Sequence, residues 1–156
     1  MQATKVFEGE SVSVYDYRCS AGPADKPFVE LHDSYRVAYV RKGSFGYRAL
    51  GRSFELVAGS LLVGRPGREY MCTHEHHGCG DECLSVQLSE DLVDSFTDER
   101  KAAWRMVCVP PVPELMVLGE LAQAAAEGRS DVGVDEAGLL LASAFTKLNS
   151  EKKRKT

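Results

Sequence analysis

Up to Leu88, apolar and polar residues alternate mostly with a period of two, and Gly or Pro interrupts the pattern about every 8–12 residues. Val12-Ser13-Val14-Tyr15-Asp16-Tyr17 places Val12, Val14 and Asp16 on one face of a strand. Tyr35 to Arg41 forms a second strand, closed by Lys42-Gly43. Gly46 to Leu50 turns at Gly51-Arg52 into Ser53-Phe54-Glu55-Leu56, a hairpin by length and by its glycine. Leu61 to Gly64 is a short apolar strand, and Arg65-Pro66-Gly67 turns the chain. Glu69 to His76 and Cys83 to Leu88 complete the strands, with Leu84, Val86 and Leu88 on the core face.

After Ser89 the period lengthens. Ser89, with Glu90 and Asp91 behind it, is an N-cap followed by an acidic first turn, so a short helix is expected near 89–105. Val109-Pro110-Pro111-Val112-Pro113 is a stiff connector. One helix then runs from about Pro113 to Glu127 and ends at Gly128. Another runs from about Val134 to Leu148, with Leu139, Leu140, Ala142, Ala144, Phe145 and Leu148 as its apolar stripe. The elements predict a mostly β domain: a small barrel over 1–108, a helical hairpin over 109–150 and a basic tail over 151–156.

Composition narrows the function classes. The 156 residues suit one domain, and 44% hydrophobic with 27% charged residues is ordinary globular usage. A net charge of −4 makes the body of the protein a poor partner for nucleic acid phosphates. The only basic run, Lys152-Lys153-Arg154-Lys155, falls in the tail. No apolar run is long enough to span a bilayer, so no membrane role is expected. The first residues lack a basic region followed by an apolar one, which makes a cytoplasmic location the expectation.

The chemistry concentrates in residues 72–83, CTHEHHGCGDEC, which hold three of the five cysteines and three of the four histidines. On an extended strand Cys72, His74 and His76 share a face, with neighbours about 6.5–7 Å apart. His77 and Cys79 fall in a glycine-rich turn, and Cys83 opens a returning strand that would bring it opposite Cys72. Thiolates and imidazoles from one hairpin suit tetrahedral Zn²⁺. Two ligand sets stay open: Cys72, Cys79 and Cys83 with one histidine, or Cys72, His74, His76 and Cys83. Cys72 and Cys83 rank first, then Cys79 and His76, then His74, with His77 last. Asp81, Glu75 or Glu82 would orient a histidine from outside the ligand shell. Cys19 and Cys108 read as small buried hydrophobes. A metal-free thiol redox sensor is the competing reading of the same cluster. Elsewhere His32, Tyr39, Arg41 and Tyr47 sit among alternating strand positions where they would line a pocket for a small molecule.

The run from His32 through Tyr35-Arg36-Val37-Ala38-Tyr39-Val40-Arg41-Lys42-Gly43, followed by Gly51 to Gly59-Ser-Leu-Leu-Val-Gly-Arg-Pro66-Gly67, resembles the cupin-like N-terminal domain of AraC-type transcription regulators. The resemblance spans roughly residues 5–150, and Gly80-Asp-Glu-Cys-Leu-Ser85 is similar to a recurrent feature of one metal-bearing branch. It implies a cupin-like (jelly-roll) barrel that senses an unidentified small-molecule effector. It further implies a helical hairpin that pairs two copies into a homodimer, and contact with DNA only through a further domain that this chain does not contain. It implies no enzymatic activity. The cupin enzyme motif, two histidines one residue apart with a glutamate beyond, is missing around His32, where Leu31 and Asp33 flank a lone histidine. A stand-alone cupin metalloenzyme using the 72–83 cluster is the alternative.

Overall fold

The computed structural model describes residues 1–75, 78 and 80–155, with side chains as far as 148. Among the described residues, ten strands form two facing antiparallel sheets. In chain order they are β1 (Gln2–Glu8), β2 (Val12–Cys19), β3 (Glu30–Leu31), β4 (Tyr35–Lys42), β5 (Ser44–Ala49), β6 (Arg52–Val57), β7 (Leu61–Gly64), β8 (Glu69–Thr73), β9 (Asp81–Leu88) and β10 (Cys108–Val109). One sheet has the order β1-β2-β9-β4-β7-β10 and the other β3-β8-β5-β6. The inner order β2-β9-β4-β7 over β3-β8-β5-β6 is an eight-stranded jelly roll of two Greek keys, with β1 and β10 added at the edges.

Among the described residues no ladder joins the two sheets, so the expected jelly-roll barrel is not closed. The predicted 72–83 hairpin is also corrected. β8 pairs with β3 and β5, whereas β9 pairs with β2 and β4, so the two strands lie in opposite sheets. Alternation shows which residues share a face but not which strand sits alongside, and the pairing here is non-local.

Helices cover the outer face of the six-stranded sheet. Ser89 caps α1 (Glu90–Asp94) by accepting from the Leu92 amide, and Thr97 caps α2 (Asp98–Lys101) in the same way. A 3₁₀ turn at Ala102–Arg105 leads into β10, then α3 (Pro113–Ala126) and α4 (Val134–Lys155) follow. The last helix continues through the stretch expected to be a basic tail.

This layering gives two cores, because the six-stranded sheet is buried on both faces. Val14, Val37, Leu84 and Val86 pack outward under Trp104, Leu141 and Phe145. Ala38, Val40, Leu62 and Cys83 point inward with Phe45, Tyr47 and Leu56 of the opposite sheet. Each such large apolar side chain contributes about 1.5–3 kcal/mol on burial. Leu84, Val86 and Leu88 are core residues as the alternation predicts, but their core lies beneath the helices. The intervening positions Asp81, Cys83 and Ser85 therefore face the space between the sheets.

Among the described residues, no helix is long and apolar enough to cross a membrane.

Candidate metal centre

The space between the sheets is a cavity of about 300 Å³, and three potential metal ligands converge on its wall. Cys19 ends β2 and Asp81 opens β9, and the two are direct partners in the β2–β9 register. The Gly80 amide donates to the Cys19 carbonyl at 3.1 Å, which holds the start of β9 against the end of β2. His74 arrives from the other sheet, just past β8. Tyr70, Cys72 and His74 all line the cavity, the period-two face predicted for this segment.

Cys19 Sγ lies 3.9 Å from His74 Nε2, and His74 Nδ1 lies 3.6 Å from Asp81 Oδ1. Cys19, His74 and Asp81 each offer a ligand atom within 4.8 Å of the others, and the residues are only 8%, 8% and 6% exposed. The His74 Nδ1 atom is buried with no hydrogen-bond partner among the described residues. Tetrahedral Zn²⁺ with ordinary bond lengths separates a sulfur from a nitrogen by about 3.6 Å and a nitrogen from an oxygen by about 3.3 Å. The Cys19–His74 spacing exceeds its ideal by a few tenths of an ångström, and Cys19, His74 and Asp81 each bring one donor atom within 4.8 Å of the others, so the residues present fit a metal ion.

The electrostatics respond to charge in the same place. Burial pushes the Cys19 and Cys72 thiols up, and burial with the nearby Asp81 carboxylate pushes Cys83 up to about 12. Without a cation these thiols stay protonated, whereas a bound divalent ion favours the thiolate it coordinates.

The sequence candidates separate into groups. His74 belongs to the convergent set. Cys72 and Cys83 line the same cavity from opposite sheets, two residues along their strands from His74 and Asp81. His76, His77 and Cys79 lie outside the described residues. His32 lines the cavity: its Nε2 is 2.9 Å from the Tyr47 hydroxyl, and its ring stacks on Tyr70 at 3.9 Å. Tyr47 is thus an interior partner of His32.

Tyr39 and Arg41 must be corrected, because they face the helices and not the cavity. Tyr39 Oη donates to Glu120 of α3 at 2.7 Å. Arg41 donates to Gln123 of α3 at 2.6 Å and pairs with Asp16 at 3.0 Å and Glu82 at 3.1 Å. The β4–β9 register shifts between Val40 and Lys42, so Arg41 is a bulge residue turned toward the helices.

Sequence reasoning missed Cys19, read as a small hydrophobe, and gave Asp81 only a supporting role. The one signal for Cys19 was its parity with Tyr17 on a strand, and parity does not reveal that Asp81 is its neighbour.

No family model matches the chain, and no curated protein sequence does. Among solved structures it is similar to a Rhizobium leguminosarum protein of unknown function, with 15% identity, a TM-score of 0.50, and coverage of 57% of this chain and 81% of that one. The cupin domain of Schizosaccharomyces pombe Cnp3 gives 12% identity and a TM-score of 0.49, covering 58% of this chain and 65% of that domain. The DMSP lyase DddQ of Ruegeria pomeroyi gives 12% identity and a TM-score of 0.49, covering 57% of this chain and 47% of the lyase. The chain therefore spans less than two thirds of the Cnp3 domain and less than half of the lyase. At such identities the likeness concerns architecture alone, and it agrees with the jelly-roll strand order.

Proposed function

We propose that this chain is a small-molecule sensor domain of the AraC regulator type, with a zinc ion held by Cys19, His74 and Asp81, and that it binds without catalysing. The carrying observation is the convergence of three buried donor atoms within 4.8 Å on a cavity wall. Soft sulfur, borderline nitrogen and a carboxylate form a donor set suited to zinc. When bound, the ion would link the two sheets at one end of the open sandwich and add its binding free energy to folding. Cys72 and Cys83, which line the same cavity, are the candidates offered to complete the shell. Burial that keeps all three thiols protonated disfavours metal-free thiol chemistry, and a cytoplasmic setting would keep them reduced. The regulator reading draws on the His32–Gly67 resemblance and on α3 and α4, which follow the jelly roll as a hairpin and expose Val117 and Leu140. Dimerisation through this hairpin belongs to the proposal.

Metal analysis of freshly purified protein tests the site. Close to one zinc per chain is expected, and fewer than about 0.2 equivalents overturns the claim. Cobalt substitution should give a thiolate charge-transfer band that Cys19→Ser weakens. Light scattering should return a dimer mass, which Leu140→Glu shifts toward the monomer, and a monomer from the unaltered chain overturns the hairpin's assigned role.

A further inference from the structure

The cavity carries a second polar group away from the metal cluster. Asp81, Cys83 and Ser85 follow one another along its floor on β9, so Ser85 lies about 13 Å from Asp81 at ordinary strand rise. Ser85 pairs with Ala38 across the β4–β9 ladder, and Arg36 enters diagonally from two residues before Ala38. Ser85 is 1% exposed, and its hydroxyl has no hydrogen-bond partner among the described residues. Arg36 Nε is also buried without a partner, although its terminal Nη2 donates to Asp33 at 2.6 Å and to Ser34 at 3.1 Å. Buried donors are costly to leave unmade. Asp33 engages Arg36 from solvent, with its side chain 84% exposed, and such a bridge neutralises little. Glu30 also lines the cavity, and burial pushes its carboxyl up. Ala38, Phe45, Leu62 and the Tyr70 ring contribute apolar wall to the same cavity, beside His32, Cys72 and Cys83.

We infer that the cavity binds a small monocarboxylate with an apolar body, its carboxylate held by Arg36 Nε–H and the Ser85 hydroxyl and its body directed along β9 toward the metal cluster. The inference rests on reading the domain as a small-molecule sensor, and it specifies the class of effector. A guanidinium N–H and a hydroxyl supply two donors for two carboxylate oxygens. A cavity of about 300 Å³ lies at the lower end of small-molecule sites, which suits a short aliphatic or arylalkyl acid.

Calorimetric titration with hexanoate and 3-phenylpropionate, against 3-phenylpropionamide and hexylamine, tests this on the full chain, both zinc-loaded and chelator-stripped. At least one acid should bind, and it should bind more tightly than its amide or amine counterpart. Arg36→Met should weaken that acid about tenfold or more, and Ser85→Ala about two- to tenfold. Ser85→Ala removes a single atom and serves where Arg36→Met is too destabilised to purify. No acid binding by about 5 mM in either state, a range reaching beyond millimolar affinity, overturns the inference. So does equal binding of acid and amide, or unchanged affinity in the variants. Zinc content is measured separately, so a missing metal with intact acid binding defeats the metal reading alone. Acid binding lost while zinc remains defeats this inference alone.

Discussion

His32 and Arg68 show how single buried polar residues set the conditions under which the fold survives. Burial, aided by Arg36 and Arg68, holds the His32 imidazole down to about 3, against an ordinary value of 6.5. The folded chain therefore keeps His32 neutral while the unfolded chain takes up a proton. Between about pH 6.5 and 3 the unfolded state binds more protons, so stability is lost as pH falls, at up to about 1.4 kcal/mol per pH unit from this group. His32→Gln keeps a group able to bond Tyr47 but does not titrate. Urea unfolding from pH 6 to 4 should show a shallower loss for His32→Gln than for the unaltered protein, and equal slopes would refute the assignment. Arg68 is 7% exposed and donates to the carbonyls of Trp104 at 3.0 Å and Met106 at 2.8 Å, tying the β7–β8 turn to the 3₁₀ turn. Arg68→Met leaves those carbonyls unpaired and should cost about 2–4 kcal/mol in denaturant unfolding. Neither role was legible in the sequence: His32 reads as a pocket residue and Arg68 as part of a turn, because both depend on partners far along the chain.

Local elements were the most legible. The β5–β6 hairpin, the capped α1 and the two long helices follow from period, capping and turn residues, all of which act over a few positions. The hairpin turns on Leu50-Gly51, where φ is 52° and 71°, both positive as a type I′ turn requires. Glycine adopts that region freely, but leucine is strained there. Leu50→Asn should raise stability by about 0.5–1 kcal/mol, measured as a higher denaturant midpoint at unchanged slope. Gly119 in α3 has the opposite logic. Alanine is the better helix former by about 1 kcal/mol. A Cβ at this position, however, would run into the Tyr39 ring. Gly119→Ala should therefore destabilise despite its propensity, and a higher midpoint would show that the Tyr39 contact yields easily. The elements that sequence reading missed or misplaced are those defined by their partners: the edge strand β1, the two-residue strands β3 and β10, and the assignment of β8 and β9 to opposite sheets.

At the scale of the whole molecule, one sheet mediates between a helical layer and a ligand-sized cavity. The outer face of its cluster-bearing end carries the Arg41 network. Glu82, next to Asp81, and Asp16, three residues before Cys19, both reach Arg41, which in turn holds Gln123 of α3. Arg41→Met should lower stability by about 1–3 kcal/mol, a range tempered because Arg18 also pairs with Asp16 and Glu82. The same variant should speed amide exchange in α3 more than in β5 or β6. Uniform exchange across these elements would show that the network does not anchor the helix.

The register pairing of Cys19 with Asp81 has a further consequence for how the chain reaches its folded state. A site confined to a hairpin would assemble early, by closing a short loop. The observed set joins residues separated by most of the jelly roll, so bringing β2 beside β9 closes a long loop. Long-range closure of this kind is costly early in folding, which favours a site that forms late on the folding route. An ion held there would act mainly on the native side of the barrier, prolonging the lifetime of the folded protein while leaving its rate of formation nearly unchanged.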